Sequence, residues 1–223
     1  MESILGSNDK NVNVVFASAL CEPFTEGGIC GSFISSLAQA VKDKDVGVKV
    51  ILPLYLSISG SLKSKLKYSG KIDAHMLLCK HTAGLYGYKK DNIDYIFIEN
   101  DYYFGRKGIS GHYDDGERFA FFCRAATEAA KLTGAKVLHC ADWHTALIPV
   151  YIKCNEECGI KTVFTLCDIA GQGKFCTDIM ESSLFLHKDC FSLVEWDGNV
   201  NLLKGGISCA DAVTSLSPSY LKY

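Results

Sequence analysis

The alternation of apolar, β-branched runs with segments of helical spacing is the strongest constraint on the fold of this chain. The run Val12–Ser18 (VNVVFAS) predicts a buried parallel strand. A loop with paired glycines follows, residues 32–42 then have helical spacing, and residues 48–52 predict the next strand. Parallel strands need such a crossover helix, so the first fifty residues predict one strand–helix–strand unit.

The remainder of the chain repeats this alternation, with a less regular middle. Residues 72–78 and 95–98 predict strands, Gly84 and Gly87 predict a turn region between them, and the pair suggests an antiparallel excursion at a sheet edge. The other predicted elements are helices over 114–132, 145–154 and 200–209, strands over 137–139, 162–166 and 212–215, and a helix that begins at Ser217-Pro218. We therefore expect one α/β domain over residues 1–223, with a Rossmann-like, doubly wound and mainly parallel sheet.

Composition excludes several classes of function. The 223 residues are 48% hydrophobic and 22% charged, which suits a globular domain with a sizeable core. A net charge of −2 without a dense basic patch argues against nucleic-acid binding. The sequence has no apolar run of the length that a membrane span needs, so no membrane partner is expected.

The 11 cysteines predict reduced thiols rather than a disulfide framework. Their number is odd, several lie in apolar segments, and the N-terminus has no export signal, which together favour a cytoplasmic protein. Cys154 and Cys158 share a helix face, but no second pair stands nearby to complete a zinc site, and no metal is expected.

Three loops that follow predicted strands carry candidate functional residues. Gly27 and Gly28 let backbone amides approach a phosphate at a helix start, or simply form a turn. Asp142 and Trp143 suit a sugar site, with a carboxylate for hydroxyls and an apolar ring, or else a helix cap and a core residue. The third loop contains Cys167 but no local histidine pattern, which disfavours a cysteine nucleophile.

These segments together resemble the N-terminal half of bacterial glycogen synthases and plant starch synthases over nearly the whole chain. The motifs that carry the resemblance are Glu22-Pro23-Phe24 with Gly27-Gly28, Asp114-Asp115-Gly-Glu117-Arg118-Phe119, Asp142-Trp143-His144-Thr-Ala, Phe164-Thr165-Leu with Ile169-Ala-Gly-Gln172-Gly173, Asn201-Leu-Leu-Lys204-Gly-Gly206-Ile, and Ala210-Asp211 through Ser217-Pro218-Ser-Tyr220.

The resemblance implies a retaining glucosyltransferase of GT-B architecture that moves glucose from ADP-glucose to an α-1,4-glucan. It implies no cofactor, an α-glucan acceptor and a sugar nucleotide as partners, and a chain that corresponds to the acceptor-side domain, with the nucleotide-binding domain or a partner chain lying elsewhere. The family positions for substrate match here at Gly27, Gly28, Asp142, Trp143 and Asn201.

Four positions depart from the family pattern. Thr25 stands where the family has a lysine near the diphosphate, Gly31 replaces an aspartate, and Cys167-Asp168 replaces His-Asn. Losing the lysine removes a positive charge for an anionic leaving group. We therefore expect no confident catalytic residue and little or no activity from the chain alone.

The alternative from another class is a non-catalytic module that binds a glucan or a partner protein. The stretch Tyr102-Tyr103-Phe104 supplies further rings of the kind that carbohydrate recognition uses, or else belongs to the core.

Overall fold

The fold is built on one large and one small β-sheet, in a computed structural model that describes residues 12–26, 28–76, 79–155 and 159–218. The strands are β1 (Val12–Ala17), β2 (Gly47–Pro53), β3 (Lys67–Met76), β4 (Cys79–Lys90), β5 (Ile93–Glu99), β6 (Val137–Ala141), β7 (Lys161–Leu166), β8 (Lys174–Phe175), β9 (Glu195–Trp196), β10 (Asn199–Asn201) and β11 (Ala212–Ser215). The α-helices are α1 (Gly28–Lys42), α2 (Gly60–Lys63), α3 (Asp101–Phe104), α4 (Asp115–Thr133), α5 (Leu147–Asn155), α6 (Ile179–Ser182), α7 (Phe191–Val194) and α8 (Leu202–Cys209).

The large sheet has eight strands in the order β11-β7-β6-β1-β2-β5-β4-β3. The strands from β11 to β5 are joined by parallel pairings. At the other edge β4 runs antiparallel to β5, and β3 runs antiparallel to β4. The predicted α/β class and the mainly parallel sheet are confirmed. An antiparallel excursion lies at the edge, but the two strands predicted to form it, β3 and β5, do not pair with each other because β4 lies between them.

Helices lie on both faces of this sheet. The chain moves from β1 to β2 in one direction, but from β5 through β6 and β7 to β11 in the opposite direction. Because parallel crossovers are right-handed, opposite directions place their helices on opposite faces. Consistent with this rule, α1 packs over β2 and β5, whereas α5 contacts both α4 and α8. The sheet is therefore doubly wound, as predicted.

The predicted turn region at Gly84 and Gly87 is wrong, because both glycines lie inside the long strand β4. Gly84 pairs with Glu99 of β5, and a side chain at Gly84 would collide with the carboxylate of Glu99. Gly84 therefore leaves room for the Glu99 carboxylate over the strand and does not form a turn. The predicted strand over 72–78 begins earlier, at Lys67, and residues 77 and 78 lie outside the described residues.

A small sheet of order β8-β10-β9 was not predicted. The helix expected over 200–209 begins only at Leu202, because residues 199–201 pair with strands on either side. The helix expected from Ser217-Pro218 continues into residues that lie outside the described part of the chain.

The prediction that all cysteines are reduced is wrong for Cys154 and Cys190, which form a disulfide with a Cα–Cα distance of 6.3 Å. Packing of α5 beside the segment before α7 brings these residues together, and no sequence spacing indicates that contact. Cys158, the other half of the suggested metal pair, lies outside the described residues. The free thiols in the described chain are buried except for Cys176.

None of the helices in the described ranges has the length and apolar character needed to cross a bilayer.

Gly206 on α8 lies directly against the ring of Phe164 on β7. A methyl group at this position would sit 2.7 Å from Cζ and 2.8 Å from Cε1 of that ring. We expect Gly206→Ala to lower the free energy of unfolding by about 1–3 kcal/mol through overpacking. Urea unfolding measures this loss, and Ser208→Ala on the exposed side of α8 is the matched control. Equal stability of the two variants would contradict the prediction.

Candidate functional site at the carboxyl ends of β1 and β6

The strand order locates the crevice in which open α/β sheets bind ligands. β1 lies between β2 and β6, and the chain leaves β1 toward β2 but reaches β6 on the other side. The loops after β1 and β6 therefore diverge at a topological switch point, where a ligand crevice forms. Of the residues predicted from these two loops, Gly28, Asp142 and Trp143 lie at this one edge of the sheet, as expected for carboxyl ends of parallel strands.

The loop after β1 turns back on itself through residue Thr25. The Thr25 hydroxyl accepts a hydrogen bond from the Cys21 N–H at 2.8 Å, and only 5% of the residue is exposed. Gly31 packs against this turn, and its carbonyl accepts a hydrogen bond from the Glu22 N–H. The Thr25 hydroxyl is thus engaged within the turn.

The start of α1 carries the predicted glycine pair. Gly28 adopts a φ of +50°, which favours glycine, and open space surrounds the place where a Cβ would be. Gly27 lies outside the described residues. The carboxylate of Glu22 accepts a hydrogen bond from the Ser32 hydroxyl at 2.7 Å, so a negative charge already lies beside the first turns of this helix.

Asp142 follows β6 in a strained backbone conformation. Its φ of 65° and ψ of 172° are rare for any residue other than glycine, and only 6% of it is exposed. The Asp142 N–H donates to the Thr165 carbonyl at 3.0 Å, which holds the strained backbone on β7. The side chain makes no capping hydrogen bond, so the alternative role as a helix cap does not account for this carboxylate.

The environment of the Asp142 carboxylate favours its neutral form. Burial raises the pKa of Asp142 to about 6, and the nearby Asp168 carboxylate raises it further, while the Asp168 N–H lowers it from 3.4 Å away. Asp168 itself is exposed, and its carboxylate accepts a hydrogen bond from the Ala170 N–H at 2.9 Å. A buried carboxylate of this kind accepts hydrogen bonds from hydroxyl groups when ionised and donates one when protonated.

Trp143 is half-buried under the loop that follows β7. Its ring stacks on His144 with centroids 4.0 Å apart and meets the edge of Phe119 at 5.2 Å. A Cβ on Gly173 would lie 2.7 Å from Cε3 of the indole, so only glycine lets the loop lie this close. Much of the ring therefore packs in the protein, and only part of it is open to a ligand.

Asn201 holds that loop in place. Its side-chain oxygen accepts from the Lys204 N–H at 3.0 Å and caps α8, while its amide donates to the Gln172 side chain at 2.9 Å. The Leu202 N–H donates to the carbonyl of Gly173 at 3.1 Å. Asn201 is 7% exposed, and its hydrogen bonds place it as a support for the loop over Trp143.

Cys167 connects the loop after β7 with α1. A hydrogen bond with Cys30 raises the pKa of the Cys167 thiol, as do burial and the charges of Asp142 and Asp168. The thiol therefore stays protonated at neutral pH, which disfavours a nucleophilic role because the thiolate is the reactive form.

Of the stretch 102–104, Tyr103 and Phe104 are fully buried, whereas Tyr102 is 62% exposed. Tyr103 donates its hydroxyl to Glu117 at 2.6 Å, and its ring stacks on Phe121 at 4.6 Å. Only Tyr102 therefore presents a ring to solvent.

Two buried histidines beneath the site are neutral. Burial lowers the pKa of His139 to about 4, and burial together with the Arg118 charge lowers the pKa of His144 to about 3. When folding depresses the pKa of a histidine, the protein loses stability as the pH falls below the unfolded-state pKa of about 6.5, because the unfolded chain then binds more protons than the folded one.

We expect His144→Phe to reduce the acid sensitivity of the fold. The ring stacking on Trp143 is kept, but the titrating group is removed. Between pH 7 and pH 5 the wild type should lose about 2 kcal/mol more stability than the variant. Urea unfolding at both pH values measures this, with His187→Phe at an exposed histidine as the control. Parallel pH profiles of wild type and His144→Phe would contradict it.

A cleft beside this edge was missed by the sequence analysis. It has a volume of about 820 Å³ and is lined by residues 22–26, by Ser57, Ser59 and Leu62, and by residues 108–110. We call it the acidic cleft, because its charged lining residues are Glu22 and Glu26. Serines and glycines in connecting loops give no sequence signal for such a site, since they occur in any turn.

Within the described ranges, no three His, Cys, Asp or Glu side chains are grouped in a way that would hold a metal ion.

Comparison with known proteins gives consistent matches. The family model for the starch synthase catalytic domain matches residues 13–222. The glycogen synthase of Lactobacillus acidophilus is 36% identical over 220 residues, which cover 95% of this chain and 46% of that protein. The glycogen synthase of Bacillus subtilis is also 36% identical over 220 residues, covering 94% of this chain and 45% of that protein. The chain spans about half the length of the curated relatives it matches.

A solved structure shares the fold. The catalytic domain of starch synthase IV from Arabidopsis thaliana, bound to ADP and acarbose, matches with a TM-score of 0.82 and 24% identity. The match covers 94% of this chain and 46% of that one.

Proposed function

Because the chain belongs to the starch synthase catalytic domain family, we propose that it binds an α-1,4-glucan as the acceptor-side domain of a glucosyltransferase. The substrates of the whole protein would be ADP-glucose as donor and the glucan as acceptor. Residues 1–223 form one domain in this proposal, which needs a nucleotide-binding half or a partner chain to complete the cleft. A cytoplasmic location is part of the same proposal.

The burial and strained backbone of Asp142 are the observation that supports the proposal. A buried carboxylate in a strained conformation at the switch point costs stability, and the long hydrogen bond from the Asp168 N–H offsets only part of that cost. Strain and desolvation of this kind occur together mostly at functional sites. The Asp142 carboxylate can accept hydrogen bonds from hydroxyl groups, and the indole of Trp143 beside it is partly open, which together suit a sugar ligand.

The chain alone should not transfer glucose. Thr25 uses its hydroxyl inside its own turn, and Cys167 is a buried, protonated thiol, so neither position offers a charge or a strong hydrogen-bond partner to a sugar nucleotide. A non-catalytic glucan-binding module remains the second candidate, favoured by the carboxylates of the acidic cleft, which oppose a diphosphate.

Binding is tested by tryptophan fluorescence in a single-tryptophan background. The chain has two tryptophans, and Trp196 is 61% exposed on the small sheet, so Trp196→Phe leaves Trp143 as the only emitter. Maltoheptaose should change the Trp143 emission saturably at millimolar sugar, while the β-linked cellobiose should not. No response to maltoheptaose, by fluorescence and by amide chemical shifts, would remove the glucan-binding proposal.

Transfer is tested separately with ADP-[14C]glucose and maltoheptaose. The purified chain should yield no labelled oligosaccharide, and Thr25→Lys with Cys167→His should yield none either, because positioning of donor and acceptor needs both walls of the cleft. A full-length bacterial glycogen synthase serves as the positive control. Labelled maltooctaose from the purified chain would show an active enzyme and overturn the inactivity proposal.

A further inference from the structure

The disulfide between Cys154 and Cys190 joins the last turn of α5 to the segment just before α7. The two residues are 36 apart in sequence, and the chain between them carries β7, the loop over Trp143, β8 and α6. The bond therefore closes a covalent loop that contains the β7 side of the candidate site. Cleaving it would release that constraint without removing any residue.

The part of the chain that this bond holds is built from short elements. Strands β8, β9 and β10 have two or three residues each, and helices α6 and α7 have four. Strands and helices of this length have little stability of their own. This part of the fold therefore depends on its packing against α5 and α8, and the disulfide adds a covalent link at the same place.

Helix α8 packs between α5 and α7, the two helices that the disulfide connects. A Cβ on Gly205 of α8 would lie 2.8 Å from Cγ1 of Val194 and 3.0 Å from Cγ2 of Val150. On the other side of α5, the Tyr151 hydroxyl donates to the Leu184 carbonyl at 2.7 Å. The position of α7 thus affects α8 directly.

The same packing extends to the loop over Trp143. Asn201 ends β10 and caps α8 by accepting from the Lys204 N–H at 3.0 Å. Its amide donates to the side chain of Gln172 in the loop at 2.9 Å. The segment from Cys190 to Asn201 therefore connects the disulfide with the loop that covers the indole.

The two ends of the disulfide differ in exposure. Cys154 is partly exposed, whereas Cys190 is only 8% exposed. The flanking charges have both signs, because Lys153, Lys188 and Asp189 are all exposed. Access rather than local charge therefore makes Cys154 the sulfur that an external thiolate reaches first.

We propose that Cys154–Cys190 is a redox modification site, at which a dithiol opens the disulfide in the folded protein and thereby loosens the segment that supports the loop over Trp143. A thiolate of the dithiol attacks Sγ of Cys154 and forms a mixed disulfide, while Cys190 leaves as a thiolate and takes up a proton. The second thiol of the dithiol then displaces Cys154, so the dithiol becomes a disulfide and two electrons pass to the protein. Oxidised glutathione reverses the reaction and is itself reduced to two thiols.

This role suits the proposed cytoplasmic location, because disulfides are rare there and those that form are usually transient and redox-sensing. The exchange reaction itself depends neither on that location nor on glucan binding.

The chemical test treats the native full chain with oxidised glutathione or with dithiothreitol, quenches with acid and maps the cysteine peptides by mass spectrometry. The linked Cys154–Cys190 peptide should be present after oxidised glutathione and absent after dithiothreitol. Its reduction rate should be proportional to dithiothreitol concentration and change less than about twofold in 1 M urea. A bond reached only by global unfolding would be reduced about 30-fold faster in 1 M urea.

The structural test compares amide chemical shifts of the oxidised and reduced chain. Residues 172–173 and 199–204 should shift, whereas residues 47–53 of β2 should not. Reduction should also raise the unfolding equilibrium constant by about 500-fold, because the closed loop restricts the unfolded chain.

Variants separate this disulfide from the other thiols. Cys154→Ser/Cys190→Ser should reproduce the shifts of the reduced wild type and no longer respond to dithiothreitol. Cys176→Ser removes an exposed free thiol between the two cysteines and should respond as wild type does. If the double variant does not fold, the reduced wild type supplies the same comparison.

Each part of the proposal has its own contradicting result. Absence of the linked peptide after oxidised glutathione would overturn the site. Reduction that accelerates about 30-fold in 1 M urea would make the bond a structural crosslink and overturn its role in the folded protein. Unchanged shifts at residues 172–173 and 199–204 would overturn the connection with the loop over Trp143. The maltoheptaose titration tests the proposed function independently of all three results.

Discussion

Asp142→Asn is expected to stabilise the fold at pH 7 and at the same time to weaken maltoheptaose binding. Burial raises the pKa of this carboxyl from 3.8 to about 6, so at pH 7 the native state carries an ionised group that its surroundings disfavour. Removing the charge should raise the free energy of unfolding by about 3 kcal/mol. Asparagine has nearly the same size and shape as aspartate, so the packing around residue 142 is retained.

The same substitution is expected to weaken binding although it raises stability. Hydrogen bonds from sugar hydroxyls to a charged acceptor are worth about 2 kcal/mol, so we expect maltoheptaose affinity to fall about 30-fold. A gain in stability with a loss in binding is the pattern of a functional residue that costs stability. Calorimetric titration and urea unfolding of the same preparation measure both changes.

The pH dependence of stability tests the direction of the pKa shift at Asp142. Because the folded pKa is raised, the native state binds the proton more tightly than the unfolded chain, and wild type regains stability as pH falls through 6. The advantage of Asp142→Asn should therefore be full at pH 7 and disappear near pH 4. Asp178→Asn, at an exposed aspartate without a capping hydrogen bond, is the control. A variant less stable than wild type at pH 7, with unchanged affinity, would refute the role of Asp142.

Arg118→Met should destabilise the protein by about 3–5 kcal/mol, as expected for breaking a buried ion pair. Arg118 is fully buried on α4, pairs with Asp115, and donates from Nε to the Tyr103 carbonyl at 2.8 Å. Methionine fills a similar volume but leaves the carboxylate of Asp115 buried without its partner. Urea unfolding measures the loss of stability.

A second substitution separates charge from packing at this pair. Arg118→Met/Asp115→Leu removes the uncompensated carboxylate and should recover part of the lost stability. Lys131→Met on the same helix breaks a pair with Glu128 whose side chains are about one-third exposed, and should cost less than about 1 kcal/mol. Equal effects of Arg118→Met and Lys131→Met would show that the buried pair contributes no more than a surface one.

Much of the secondary structure follows from local pattern. The strand over Val12–Ala17 and the helix ending at Lys42 were predicted within a few residues, because burial on both faces demands a continuous apolar run and a crossover helix demands a 3.6-residue period. The sequence does not predict strand β4, because its glycines at 84 and 87 are typical of a turn. In the structure these glycines are extended, because β4 pairs with a strand on each side.

The candidate site, like the secondary structure, could be predicted only in part from the sequence. The order of strands and helices along the chain was enough to place Asp142 and Gly28 at one edge of a sheet, because carboxyl ends of parallel strands always meet there. Sequence also identified Trp143 and Asn201 as positions of interest. It left open whether each side chain faces a ligand or the protein.

Only the tertiary structure decided those orientations. Thr25 folds into its own turn, Asn201 ties the loop over Trp143, and Cys154 reaches Cys190 through packing between residues 36 apart in sequence. The acidic cleft likewise exists only once three separate loops converge. Sequence by itself determined the α/β class and the edge of the sheet at which the candidate site residues lie, since both follow from short-range periodicity and from chain order. The direction of each side chain depends on contacts between residues distant in sequence, and those arise only in the folded chain.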